Sequence, residues 1–218
     1  MVLDIGCGDG QVTTRLAARG HTVIAVDPSD TMLQRLRTRL EALPRDVARQ
    51  VTVHRGALED LRAADVGPVD AVTCHGVLMY LPDSRAAIAS LAALVPDGAL
   101  LSVLTKNSDA LALQAGLRGD WTTAHAVLTE RRDRTLGNLG LTTRGDTLTD
   151  LRAAYDAAGI EPDRVVRRPG VQRPPRRRAP ARRPVRRPPR PGGGGGPHLA
   201  VPRVWGGCSI SSAGAARG

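Results

Sequence analysis

Residues 2–10 read VLDIGCGDG: an apolar run interrupted by Asp4, then glycines at positions 6, 8 and 10. The run fits a short buried strand, and Gln11 to Arg19 carries Val12, Leu16 and Ala17 at helical spacing. Strand, glycine turn and helix form a cradle in which backbone amides and carbonyls approach a ligand closely, because side chains are missing there. The spacing narrows the ligand. A dinucleotide turn, G-x-G-x-x-G, would place its third glycine at position 11, which is Gln11 here. Asp4 and Asp9 also serve a pyrophosphate poorly and suit a cationic, amine-bearing ligand better.

The remainder of the chain repeats this alternation. HTVIAVD (21–27) is a second strand ending on Asp27, and SDTMLQRLRTRLEAL (29–43) is a helix capped by Ser29 or Asp30. VTVH (51–54) is a third strand, followed by the turn RGALEDL, and VDAVTCH (69–75) is a fourth. Ser84 to Val95 forms a helix with Ala87, Ile88, Leu91, Leu94 and Val95 on its buried side, and ALLSVLT (99–105) is a fifth strand. Asp109–Leu117 and Thr149–Ala158 read as helices, GIEPDRVVRR (159–168) as a sixth strand, and nothing after Val171 as a seventh. Strands alternating with helices predict an α/β fold: a Rossmann-like, mostly parallel sheet with helices on both faces. Right-handed crossovers place the ligand crevice beyond the carboxyl ends of the strands. The loops after Ile5, Asp27, His54, Cys74 and Leu104 meet there. Asp27 would accept hydrogen bonds from two ribose hydroxyls, which serves NAD and an adenosyl group equally.

The 218 residues suit one domain, or one domain plus a tail. The net charge of +10 divides unevenly. Residues 1–163 hold 17 basic and 21 acidic residues, while residues 164–218 hold 14 arginines, no acid, ten prolines and ten glycines. That last quarter has little apolar surface to offset ordering entropy and reads as a disordered, basic tail. Its arginine, proline, glycine and alanine also suggest GC-rich DNA read in a shifted frame, with an RNA-binding tail as the functional alternative. No stretch of eighteen apolar residues predicts a membrane span, and no basic leader precedes Asp4. Cys7, Cys74 and Cys208 lack metal or disulfide spacing and fit a reducing cytoplasm.

VLDIGCGDG, Asp27 in AVDPSDTML, GALEDL, CHGVLMYLPD and LVPDGALLSVL, at these intervals, resemble the class I S-adenosylmethionine-dependent methyltransferases over residues 1–168. HGVLMYLPDSRAAIASL, KNSDALALQAGLRGDW and TLTDLRAAYDAAGIEPDRVVRRPGV look narrower still. They are similar to the branch that methylates the carboxymethoxy carboxylate of a tRNA wobble uridine. The resemblance implies S-adenosyl-L-methionine as cofactor. It gives the methionine end to Gly6, Gly8 and Gly10, with Asp4 supporting the turn, and the ribose to Asp27. Ala57, Leu58 and Glu59 would pass the adenine, and His75 would touch the cofactor. Plainer readings stand beside these: Glu59 as a solvated loop charge, His75 as a satisfied strand-end histidine, Tyr80 as core packing.

A sulfonium is already activated, so a carboxylate acceptor needs orientation rather than a general base, and no catalytic residue is assigned. An acidic acceptor wants a cation, and Lys106, the only lysine, follows the fifth strand beside Asn107. Arg118 is a second cation, and Tyr80 lies in the loop after the fourth strand. The acceptor is expected to be a modified tRNA or a small molecule, with no metal and no membrane partner, and the oligomeric state is left open. Relative to the branch it resembles, the sequence is expected to lack a helical lead-in and a closing strand. The domain is drawn at 1–168 and the low-complexity tail at 169–218. The rival readings are a non-catalytic cofactor-binding or RNA-binding remnant and, more distantly, a dehydrogenase.

Overall fold

A computed structural model describes residues 1–130, 134–136, 140–169 and 207–215. In chain order the elements are β1 (Val2–Ile5), α1 (Gln11–Ala17), β2 (Val23–Asp27), α2 (Asp30–Glu41), α3 (Arg45–Ala48), β3 (Val51–Arg55), α4 (Ala63–Val66), β4 (Ala71–His75) and α5 (Ser84–Ala92). They continue with β5 (Leu100–Lys106), α6 (Leu111–Leu117), α7 (Trp121–Thr129), β6 (Arg134–Leu136), β7 (Thr142–Arg144), α8 (Leu148–Ala157), β8 (Ile160–Pro169) and β9 (Gly207–Ala215).

All four residues of β1 are buried, as a central strand covered on both faces requires. It pairs in parallel with β2 on one side and β4 on the other. The sheet order is β3-β2-β1-β4-β5-β9-β8, so the chain reverses direction across the sheet between β1 and β4. In an open α/β sheet that switch point is where the strand ends leave a crevice. The main core lies between the sheet and the α5–α8 pair. Leu3, Ile5, Val72, Leu101 and Val103 meet Ile88, Leu91, Leu151 and Tyr155, all at most 2 % exposed. On the other face Cys7 and Ala25 pack against Leu33 and Leu36 of α2. Each such leucine contributes about 2 kcal/mol by leaving water.

The helix starts follow from their caps. Ser29 accepts from the Met32 amide ahead of α2, Asp83 from Arg85 ahead of α5, and Thr147 from Asp150 ahead of α8. The expected α/β class and mostly parallel sheet are observed, and two departures matter. Residues 107–147 form an insertion between β5 and α8, with α6, α7 and the hairpin β6–β7, where the sequence pattern offered one helix. The second is Gly207–Ala215, inside the stretch drawn as tail, which runs antiparallel between β5 and β8. Its serines, glycines and alanines carry almost no strand propensity, so pairing on both sides, rather than local preference, defines it. The rest of the 169–218 tail lies outside the described residues apart from Pro169. Among the described residues, no helix is long and apolar enough to cross a membrane.

Candidate functional site

The loops beyond β1, β3 and β4 are each pinned to a neighbouring strand. The Gly6 and Cys7 amides donate to the Val26 carbonyl at 2.8 and 3.0 Å, Gly56 to Asp27 at 3.3 Å, and Gly76 to Leu104 at 2.7 Å. The glycine turn sits at the switch point. Its glycines all have positive φ, but for different reasons. A Cβ on Gly6 would lie 2.2 Å from Val77 Cγ2, and one on Gly10 would lie 2.2 Å from Leu36 Cδ1. These two positions must be bare so that the loop after β4 and helix α2 can pack. Gly8 has φ +56° and nothing within 4 Å of its missing Cβ, so it keeps space open.

Asp27 faces that space. It is 8 % exposed, and each of its oxygens already accepts one backbone amide: Oδ2 from Gly8 and Oδ1 from Ser29, both at 2.9 Å. A carboxylate has about four acceptor sites, so each oxygen keeps a lone pair for a hydroxyl. That acceptor-only pair beside a bare turn fits an adenosyl ribose.

The other two carboxylates are committed elsewhere, which revises the electrostatic argument from sequence. Asp9 is held by Arg39, whose Nη2 lies 2.7 Å from Asp9 Oδ2 and whose Nε donates to the Asp9 carbonyl at 2.9 Å. Asp4 is 2 % exposed and accepts from Thr13 Oγ1 at 2.5 Å and Thr73 Oγ1 at 2.7 Å. Burial raises its pKa above the ordinary 3.8, against the two hydroxyl bonds that lower it. Asp4 thus ties β1 to the first turn of α1 and to β4, shaping the turn from beneath. Asp27 remains as the carboxylate presented at the crevice.

Beyond β3, Ala57 is half-buried, Leu58 belongs to the main core and Glu59 is exposed. A ligand at this segment would therefore meet backbone and the Glu59 carboxylate rather than the Leu58 side chain. Asp60 accepts from the Ala57 amide at 3.3 Å and fixes the turn. His75 shares a 2.9 Å hydrogen bond between Nε2 and Ser102 Oγ. Tyr80 is 40 % exposed, which disfavours core packing. Cys7 and Cys74 are buried free thiols; burial pushes both upward, Cys74 to about 12. Among the described residues, no cluster of metal-ligating side chains occurs.

The candidate acceptor residues lie by the insertion. Lys106 Nζ donates to Thr143 Oγ1 at 2.7 Å, Asn107 is buried and bridges to Asp146, and Arg118 is exposed at the end of α6. Sequence reasoning missed the residues that organise this side. Arg144 and Asp146 form a buried ion pair at 2.5 Å, with Ser84 and Thr105 hydroxyls donating to Asp146 at 2.6 and 2.7 Å. Gly145 was the available signal. A Cβ there would lie 2.6 Å from Ser108 Cα, so a glycine between two charged residues marks a close backbone crossing. A cleft of about 650 Å³ opens where Ser84, Ser108, Val127, Leu128, Arg144 and Asp150 meet. None of the glycine-turn residues lines it.

A sheet in this order, with a glycine turn at its switch point and an amide-held carboxylate at the end of β2, makes a Rossmann-like fold similar to that of S-adenosylmethionine-dependent methyltransferases. Residues 3–101 match the family described as a methyltransferase domain. Over 135 residues the chain is 30 % identical to the tRNA 5-carboxymethoxyuridine methyltransferase of Escherichia coli (strain K12), covering 62 % of this chain and 51 % of that protein. Over 106 residues it is 39 % identical to the ubiquinone biosynthesis O-methyltransferase of Xanthomonas axonopodis pv. citri (strain 306), covering 49 % and 43 %. The chain thus spans about half the length, or less, of the curated relatives it matches. The fold is shared with a methyltransferase from Methanosarcina mazei at TM-score 0.67 and 14 % identity, covering 98 % of this chain and 91 % of that one. It is shared too with the magnesium protoporphyrin IX methyltransferase of Synechocystis PCC 6803 bearing bound S-adenosylhomocysteine, at TM-score 0.63 and 18 % identity, covering 99 % and 74 %.

Proposed function

We propose that this domain transfers a methyl group from S-adenosylmethionine to an oxygen acceptor, and that the acceptor is the carboxylate of a modified wobble uridine in tRNA. The observation that carries the cofactor half is Asp27: a buried carboxylate, held by two backbone amides, with its free lone pairs beside the open Gly8 turn. In this reading Gly6, Gly8 and Gly10 receive the methionine end, and Asp4 holds the turn through Thr13. Asp27 binds both ribose hydroxyls, and Ala57, Leu58 and Glu59 run past the adenine. His75 stands at the end of β4 against the cofactor, oriented by Ser102. When bound, the cofactor supplies a methyl group on a sulfonium, a leaving group that needs no protonation. The chain's task is then to orient the acceptor and exclude water. Lys106 supplies positive charge for an acidic acceptor, with Asn107, Tyr80 and Arg118 as further contacts. The buried free thiols fit a cytoplasmic protein.

The tRNA reading is supported by the likeness to the tRNA 5-carboxymethoxyuridine methyltransferase, which extends over 135 residues. The second reading, a small-molecule O-methyltransferase, is favoured by the higher identity, over fewer residues, to the ubiquinone biosynthesis enzyme. Incubation of the full chain with labelled S-adenosylmethionine and bulk tRNA separates them. A base-labile methyl ester at the wobble nucleoside, detected by mass spectrometry, supports the first. Methylation of a catechol or phenol with unmodified tRNA supports the second.

A further inference from the structure

The loop after β4 follows His75 and carries Val77 and Tyr80, and it is gripped from two directions. On the cofactor side, Val77 Cγ2 fills the volume that a Gly6 side chain would need. From the insertion, Arg144 Nε donates to the Leu81 carbonyl at 2.8 Å and Nη2 to the Leu78 carbonyl at 3.4 Å, bracketing Tyr80. The same guanidinium bonds Asp146 and the Ser84 hydroxyl. Asp146 is fixed in turn to β5. Its amide donates to the Lys106 carbonyl at 2.8 Å, its carbonyl accepts from Ser108 at 3.1 Å, and Thr105 donates to its Oδ2 at 2.7 Å. Arg144 and Asp146 side chains are 11 % and 2 % exposed, so this pair is held in a poorly solvated site.

A continuous set of contacts therefore runs from the glycine turn, through Val77 and the Leu78–Leu81 loop, to Arg144 and the root of α6. Ser108 opens the one-turn helix that leads into α6, and α7 packs on α6, with the Trp121 ring 3.3 Å from the Cβ position of Gly116. We propose that Arg144 is a positioning residue that couples the cofactor turn to the acceptor-side insertion. Filling the turn and setting the α6–α7 arrangement are then one linked equilibrium, with reciprocal free energies at the two ends. The inference rests on the adenosyl reading of the Gly8–Asp27 site, because it takes that ligand as the occupant. Lysine at position 144 would keep the charge beside Asp146 but lacks the planar fork that reaches a carboxylate and two carbonyls together.

The chain has two tryptophans, so Trp205→Phe leaves Trp121 as the single emitter. S-adenosylhomocysteine is titrated into that protein while heat and Trp121 emission are recorded on the same samples. The expected result is a shift in emission with the midpoint of the heat. In Arg144→Lys the heat should persist and the emission shift should be lost. A shift that survives Arg144→Lys overturns the coupling, as does heat without any shift in the Arg144 protein. Absence of heat in the Arg144 protein overturns the adenosyl reading instead. Should Arg144→Lys melt below the assay temperature, Thr105→Val takes its place, since it removes one hydroxyl from Asp146 and leaves the ion pair. A diminished shift there supports the proposal, and an undiminished one overturns it.

Discussion

The glycine-turn side and the insertion side of the molecule are built by different means. The candidate cofactor side is made of backbone: glycine turns, amides pinned to the next strand, and one carboxylate held by the Gly8 and Ser29 amides. The candidate acceptor side is made of side chains, with Ser84 and Thr105 brought to Asp146 from 62 and 41 residues away and Arg144 two residues from it. A backbone-built site tolerates sequence change around it as long as the φ angles and bare positions persist. A side-chain network loses its geometry when one member changes, since each partner left behind is buried without compensation.

Stability measurements should expose that contrast first. Asp146→Ala strands the Arg144 guanidinium in a buried site and should cost about 3–5 kcal/mol in urea unfolding. A cost like that of a surface substitution would mean the insertion is not held by this pair. Within the glycine turn, Gly10→Ala drives a Cβ toward Leu36 and strains a left-handed φ, so about 2–3 kcal/mol is expected. Gly8→Ala meets open space and should cost only about 1 kcal/mol, from φ alone. Its larger effect should fall on cofactor affinity. Equal stability losses for the two variants, with equal affinities, would erase the distinction between packing glycines and the ligand-facing one.

The smallest expected effect concerns pH. Burial raises the Asp4 pKa above 3.8 in the folded state, so its contribution to stability is fully present below 3.8 and declines as pH rises through the folded value. Asp4→Asn removes that titration. The stability of Asp4→Asn relative to the unaltered protein should therefore improve between pH 4 and pH 7. A difference independent of pH would show that Asp4 keeps an ordinary pKa in the folded chain.

The same contrast explains what the sequence revealed. β1, β2 and β4 announce themselves as apolar runs because a central strand is buried on both faces, and Asp27 stands out as an acid ending one of them. The glycine turn is legible because backbone-made sites leave their mark in spacing. The insertion is not: α7 buries only Ala124 and Val127, too little for a periodic stripe, and the hairpin strands are three residues each. Arg144 and Asp146 look like ordinary charges in a polar stretch until Ser84 and Thr105 are brought to them. β9 escapes for a related reason, since small and hydroxyl residues become a strand only between two partners. Asp4 and Asp9 show the converse error. Their signs were legible, but Thr13, Thr73 and Arg39, which occupy them, were not.

Isothermal titration of S-adenosylhomocysteine into the folded full chain and into Asp27→Ala addresses the cofactor site itself. Loss of two hydrogen bonds to a charged acceptor, each worth about 1.5 kcal/mol, should weaken binding by about a hundredfold. Equal affinities in the two proteins, or no binding by the well-folded unaltered chain, would contradict the placement of the ribose on Asp27.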